Sequence, residues 1–420
     1  MTTIRIRESL VGNKKTDILI EGNRIAKVGD CKGMRAEFEI DGTRKAAVPG
    51  LFNCHTHAAM TLFRGYADDV ALQDWLEKKI WPLEAKLTPD DIYWGTKLAC
   101  LEMIKTGTTF FSDMYWNVPS IAKAVGESGI RATLSAAFTD SEGKDKRDKN
   151  IRLNKQLYKQ IHDTADGRIR MALGPHAPYT ASKEALLWCK GFADKHGLLI
   201  HIHVSENRHE VEESVKKTGL RPVEYLEKIG FLGSNVIACH CAWVNDDETA
   251  ILAKRKVKVV HNPASNLKLA SAFSFPYAKL KKAGVPVLLG TDGAASSNNL
   301  DMFGAMRLAS LLQKGVDANP TALPASDVLA MATAGSANAF GIDAGAIREG
   351  KLADLVLVDL QRPELTPNHN LVSNLVYSAT GSCVDTTICD GKILMQNGRV
   401  DGEEKIMEKA ESVAFAAVKR

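Results

Sequence analysis

The chain has 420 residues, a hydrophobic fraction of 45% and a formal charge of +4. It is long enough for a barrel of ~250 residues plus a smaller module, and too close to neutral for a nucleic-acid partner. Met1-Thr2-Thr3-Ile4-Arg5 carries no signal-peptide pattern and no apolar run approaches the ~20 residues of a membrane span, so neither export nor membrane insertion is expected. The eight cysteines are scattered without a Cys-x-x-Cys pair, which points to reduced thiols and a cytoplasmic setting.

In chain order, residues 1–46 read as short strands and turns. Residues 17–28 form two alternating segments about a Gly22-Asn23 turn, a hairpin signal. Residues 350–359 read as a buried strand behind a turn, and residues 390–400 repeat the hairpin pattern. Neither end has enough apolar surface to fold alone. Residues 1–46 and 346–420, the latter with a terminal helix, are therefore expected to pair into one discontinuous β-domain around an inserted body, residues 47–345. Within that body an apolar run ends in Pro49-Gly50 and leads to His55-Thr56-His57. A helix over residues 74–81 is expected to break at Pro82, and a second to start at the capping signature Thr88-Pro89-Asp90-Asp91. Apolar strands then recur at residues 108–113, 131–138, 168–173, 198–203, 236–240, 257–261 and 285–289, separated by helix-length segments. The run Lys144-Asp145-Lys146-Arg147-Asp148-Lys149 mixes both signs and reads as a solvated helix start. Helices over 300–340 would complete the outer layer. Eight such strands predict an α/β fold, a closed parallel (β/α)8 TIM-like barrel.

The chemistry collects at the C-terminal ends of these strands. Side chains alternate along a strand, so His55 and His57 share a face. Later strands end at His203, His240 and Asp292. Imidazoles and a carboxylate on one rim suit a divalent ion such as Zn²⁺, with Fe²⁺ or Mn²⁺ also admitted, and would supply a nucleophile at neutral pH.

The combination of Pro49-Gly50, His55-x-His57, Gly174-Pro175-His176-Ala177-Pro178-Tyr179, His203-Val204-Ser205-Glu206, His240, His261-Asn262-Pro263-Ala264-Ser265-Asn266 and Gly290-Thr291-Asp292-Gly293 resembles the amidohydrolase superfamily. Within it, the chain is similar to the 5'-deoxyadenosine, methylthioadenosine and S-adenosylhomocysteine deaminases over nearly its whole length. The resemblance implies one metal ion held by His55, His57, His203 and Asp292. The dinuclear branch uses a strand-four lysine, which Met171-Ala172-Leu173-Gly174 lacks. Deamination of adenine needs a nucleophile at C6 and a proton at N1. Glu206 is placed to handle the N1 proton, Asp292 to accept the proton of the attacking water, and His240 to orient that water.

For the substrate, the resemblance assigns Glu84 to the ribose hydroxyls and His176 to the nucleoside; Ser296, Asn266 and Trp75 are candidate pocket residues. His201 is expected behind the ligands rather than among them, and His261 to hold the loop at Asn262-Pro263. Relatives that accept S-adenosylhomocysteine are expected to carry an arginine just after strand three. Here that strand reads Arg131 to Phe138 with small or apolar residues at its end, and Lys144, Lys146 and Arg147 follow in an expected loop. A small apolar 5' substituent is therefore favoured. Competing readings keep the scaffold for a free purine or an s-triazine, or make it a non-catalytic binding scaffold. The complete ligand set argues against the last. The expected partner is a small nucleoside, with no nucleic acid and no membrane. Family members are often homo-oligomers, but no interface can be read here.

Overall fold

The structure is a computed structural model and describes residues 2–70 and 72–420. The chain opens with five strands, β1 (Thr3–Val11), β2 (Lys14–Glu21), β3 (Arg24–Gly29), β4 (Phe38–Asp41) and β5 (Lys45–Pro49). Eight parallel strands follow: β6 (Leu51–Thr56), β7 (Thr108–Tyr115), β8 (Arg131–Phe138), β9 (Ile169–Pro175), β10 (Ile200–Val204), β11 (Val236–His240), β12 (Lys258–His261) and β13 (Val287–Leu289). They are neighbours in strict chain order, as in a barrel built of successive βα units. Strands β6, β7 and β8 are buried along their entire length. That burial is why these segments read as continuous apolar runs rather than as alternating ones.

The first and last barrel strands meet at the rim, where Asp292 N donates to His55 O at 3.0 Å. A Cβ at Gly290 would lie 2.5 Å from Asn262 Oδ1 and 2.9 Å from His55 N, so glycine is what permits this approach. Helices Met302–Val316, Ala325–Met331 and Ala334–Ala339 pass from the last barrel strand to the C-terminal strands β14 (Leu355–Asp359), β15 (Val384–Cys389) and β16 (Lys392–Met395). These strands join the N-terminal ones in a second sheet of order β16-β15-β14-β5-β1-β2-β3, with β4 paired to β1. The sheet has its own apolar cluster of Ile4, Ile6, Ile18, Ile20, Leu355, Leu357 and Ile388. Strand β5 pairs along its length with β14, so the sheet runs on to Pro49 and the barrel starts at Leu51. The terminal helix is Glu403–Lys419.

A buried ionic cluster joins the two bodies. Arg131, at the start of β8, donates from Nε and Nη2 to the Asp354 carboxylate at 3.0 and 3.2 Å, and from Nη2 to Asp390 Oδ1 at 3.0 Å. It thus lies at the end of the barrel opposite the histidine-bearing rim.

Two expectations change. The helix does not break at Pro82: the chain runs as a π-helix over Trp75–Ile80 and continues as Trp81–Glu84. Trp81 N–H reaches back to Leu76 O, five residues away, and this shifted ladder absorbs the donor that proline lacks. The hairpin pattern expected over 390–400 is present as two turns: Asp390-Gly391 joins β15 to β16, and Asn397-Gly398 closes the antiparallel Gln396–Arg399 bridge. Lys144, Lys146 and Arg147 are not in a loop. They open the helix Lys144–Ile161, where Lys146 pairs with Glu142 at 3.0 Å and Arg147 with Asp140 at 3.3 Å. Thr88 caps its helix as expected, in a reciprocal capping box with Asp91. Among the described residues no helix is long and apolar enough to cross a membrane.

Candidate metal centre and active site

The exits of β6, β10, β11 and β13 bring His55, His57, His203, His240 and Asp292 into one cluster. His55 Nε2 and His57 Nε2 each lie 3.3 Å from Asp292 Oδ1. The His203 ring centroid lies 4.9 Å from that of His55 and 5.5 Å from that of His57, and the His240 centroid 5.6 Å from that of His203. His240 and Asp292 hold φ of 71° and 63°, left-handed backbone that non-glycine residues rarely adopt. Strain of this kind concentrates where a fold must aim a side chain.

Hydrogen bonds at the far side of the His57 and His203 rings settle which of their nitrogens faces inward. His57 Nδ1 lies 2.7 Å from Met114 O and His203 Nδ1 lies 2.7 Å from His176 O. A carbonyl can only accept, so both rings carry their proton on Nδ1 and present a bare Nε2 to the cluster. His55 Nε2 is buried with no hydrogen-bond partner. An orphaned imidazole nitrogen beside two others and a carboxylate fits a divalent metal ion, because a buried acceptor left bare is otherwise costly. Burial pushes the His55 pKa down to about 4, which keeps the ring neutral as a ligand must be. Burial alone would raise the Asp292 carboxyl, but His55 and His57 hold it well below the usual carboxylate range.

The remaining groups sit around a cavity of about 700 Å³, its open mouth included, which the cluster borders through His57, His203, His240 and Asp292. Glu206 lines it, with a pKa raised by burial and by Asp292 against the opposing pull of His240. Burial disfavours the charged form of His240, yet Glu206 and Asp292 outweigh it and the pKa rises. The His240 ring donates from Nδ1 to Asn266 Oδ1 at 2.9 Å. Asn266 therefore stands behind His240 and does not line the cavity, unlike Trp75 and Ser296, which do.

Glu84 and His176 also border the cavity. Glu84 Oε1 is buried without a partner, as is the nearby Tyr115 hydroxyl. His176 Nδ1 meets Thr180 Oγ1 at 2.9 Å, and burial pushes its pKa down to about 4. His201 is outside the ligand cluster: its Nε2 lies 2.8 Å from His55 Nδ1. His261 stacks on Phe275 at 4.1 Å between centroids, in the segment before helix Tyr277–Lys282.

Several contributors are not apparent from the sequence. Trp81, Trp116 and Leu269 line the cavity, although nothing in their local pattern distinguishes them from core residues; Tyr179, which closes the motif Gly174–Tyr179, lines it too. Glu210 is buried and accepts from Ser205 N and Glu206 N, both at 2.8 Å, which pins the turn that carries Glu206. A readable signal existed here, since Asn207 and Glu210 are spaced as a helix cap, and Asn207 does cap helix Arg208–Thr218. Asp113, pushed up to about 7 by burial, accepts from Ala58 N at 2.7 Å and holds the chain as it leaves His57.

Residues 46–394 match the model of the amidohydrolase family. The chain is 51% identical over 406 residues to the 5'-deoxyadenosine deaminase of Methanothermobacter thermautotrophicus, covering 96% of this chain and 95% of the relative. It is 48% identical over 401 residues to a 5-methylthioadenosine/S-adenosylhomocysteine deaminase of Archaeoglobus fulgidus, covering 95% and 94%. Among solved structures it superimposes on an adenosine deaminase from Xanthomonas campestris with bound zinc, at a TM-score of 0.93 and 33% identity, covering 100% of this chain and 99% of the other.

Proposed function

The chain belongs to the amidohydrolase family, and from that premise we propose that it hydrolytically deaminates 5'-substituted adenosines to the inosine analogue and ammonia. The observation that carries this reading is the buried Glu84 carboxylate, its Oε1 without a close hydrogen-bond partner and Tyr115 and Trp116 its neighbouring donors, in the same cavity as Glu206 and the imidazole–aspartate cluster. A buried acceptor with free lone pairs suits a ribose diol, which offers two O–H donors.

One zinc ion per chain, held by His55, His57, His203 and Asp292, is the proposed cofactor. Strand β9 carries no lysine to support a second ion. When bound, such an ion supplies a water-derived nucleophile at neutral pH. Glu206, kept protonated more easily by its burial, gives a proton to adenine N1 as C6 is attacked and recovers one from the new C6 hydroxyl as the carbonyl forms, while the amine departs with the proton that Asp292 took from the water. His240, its Nδ1 tied to Asn266, turns Nε2 toward the attacking water and orients it. Asp292 takes the proton that the water gives up. His176 and Glu84 hold the nucleoside, with Trp75 and Ser296 on the wall. The eight cysteines are free and buried, in keeping with a reducing, cytoplasmic setting.

The 5' end of the ribose is assigned to a cleft that shares Trp81, Glu84, Trp116 and His176 with the main cavity and runs on to Glu142 and Lys146. Its tryptophan walls suit a methyl or methylthio group. An amino-acid carboxylate would have to draw Lys146 away from Glu142. Ammonia release is therefore expected with higher kcat/KM on 5'-deoxyadenosine and methylthioadenosine than on S-adenosylhomocysteine or adenosine. S-adenosylhomocysteine as best substrate would overturn the 5' assignment. Turnover of free purines with none of any nucleoside would overturn the function itself.

A further inference from the structure

His57 and His203 have their tautomers imposed by backbone carbonyls, but His55 does not. Its Nδ1 faces His201 Nε2 at 2.8 Å, a group that can either donate or accept. With His55 0% and His201 1% exposed, the partner cannot be exchanged for solvent. The direction of this one hydrogen bond decides whether His55 is a ligand at all. If His201 carries its proton on Nδ1, its Nε2 accepts from His55 Nδ1–H, and His55 Nε2 is left bare. If His201 carries it on Nε2, His55 must keep its own proton on the Nε2 that faces Asp292 Oδ1, and no lone pair remains for a metal.

A metal ion held by His55 Nε2 requires the first arrangement, and the far side of His201 accommodates it: its Nδ1 lies 3.3 Å from Ser112 Oγ on β7, a hydroxyl able to accept an Nδ1–H. We infer that His201 is a positioning residue, and that the relay Ser112–His201–His55 locks His55 in the metal-competent tautomer; this rests on the metal-site reading above but not on the identity of the substrate.

A rival explanation is a second metal ion among His55 Nδ1, His201 Nε2 and Cys239 Sγ, which lie close together. The spacing rules against it. His201 Nε2 is 2.8 Å from His55 Nδ1 and 3.0 Å from Cys239 Sγ, which are hydrogen-bond lengths. Tetrahedral ligands at ordinary zinc distances stand about 3.3–3.6 Å apart.

The test is zinc affinity of the full-length protein, measured by competition with a chromogenic chelator, alongside thermal unfolding of the metal-free protein. Leucine at 201 removes the acceptor, whereas glutamine places an amide oxygen within reach of His55 Nδ1–H. His201→Leu should weaken zinc binding about 10–100-fold, and His201→Gln should stay within about threefold of the parent. The visible spectrum of the cobalt-substituted protein should change in the leucine variant and be preserved in the glutamine variant. Equal losses in both variants, native affinity in the leucine variant, or two zinc ions per chain in the parent would each overturn the inference. Should the leucine variant fail to fold, Ser112→Ala takes its place: it leaves the ring but removes the Nδ1 partner. A severalfold loss of zinc affinity is then expected, and unchanged affinity would overturn the relay. Loss of deaminase activity on every nucleoside with this affinity pattern intact would count against the substrate reading alone.

Discussion

Glu206 and Glu84 are carboxylates in one cavity, both with pKa values raised by burial, yet their neighbours differ. Glu206 faces the charge balance of His240 and Asp292, so its proton is held beside groups that respond to a forming charge. Glutamine keeps its shape but cannot exchange a proton. Glu206→Gln should lower kcat on the order of 10²–10⁴-fold while metal content and nucleoside binding persist. Steady-state kinetics and equilibrium binding check this, and near-normal turnover would move the acid role elsewhere. Glu84 has an oxygen without a protein partner, so its work is expected at the sugar. In Glu84→Ala the kcat/KM ratio of each ribonucleoside to its 2'-deoxy analogue should fall toward one. An equal loss on both would make Glu84 a structural residue.

Elements carry these side chains into place, and two of them do so through features that a local reading misses. The π-turn over Trp75–Ile80 lets the segment run past Pro82 without breaking, and so keeps Trp75, Trp81 and Glu84 on the cavity. Propensity alone puts a stop at Pro82, because the alternative hydrogen-bond ladder depends on what the segment packs against. The second feature is the Arg131 junction between β8 and the C-terminal sheet. Arg131→Leu leaves Asp354 buried without its cation and Asp390 with Arg168 alone, at 3.6 Å. A loss of about 3–5 kcal/mol in unfolding free energy is expected, measured by denaturant titration. Because the junction lies at the opposite end of the barrel from the histidines, kcat of the folded fraction should be unchanged. A drop in kcat without loss of stability would instead link the junction to the site.

For the whole molecule, the proposed metal ion would be both cofactor and brace, since its proposed ligands come from the exits of two separate strands, β6 and β10, and the loop after the last barrel strand. A ligand that binds only the folded state adds stability, about 4 kcal/mol at a thousandfold excess over Kd. Chelator-stripped protein should therefore have a lower Tm than protein reloaded with zinc, and metal analysis of the active form should find about one ion per chain. A reproducible requirement for two ions would remove the single-ion reading. By itself the sequence determined the order of the barrel strands and the residues at their exits. Those signals are local: a period of two puts His55 and His57 on one face, and unbroken apolar runs mark strands covered on both sides. Only the tertiary structure decided what each of those residues meets. The acceptors behind His57, His203 and His55 are Met114 O on β7, His176 O just past β9 and His201 on β10, and no spacing in the chain announces them. The same holds for the orphaned oxygen of Glu84 and the acids that meet Arg131. Hydrogen bonding and desolvation act through space, so their partners exist only once the barrel has closed and the two ends of the chain have paired.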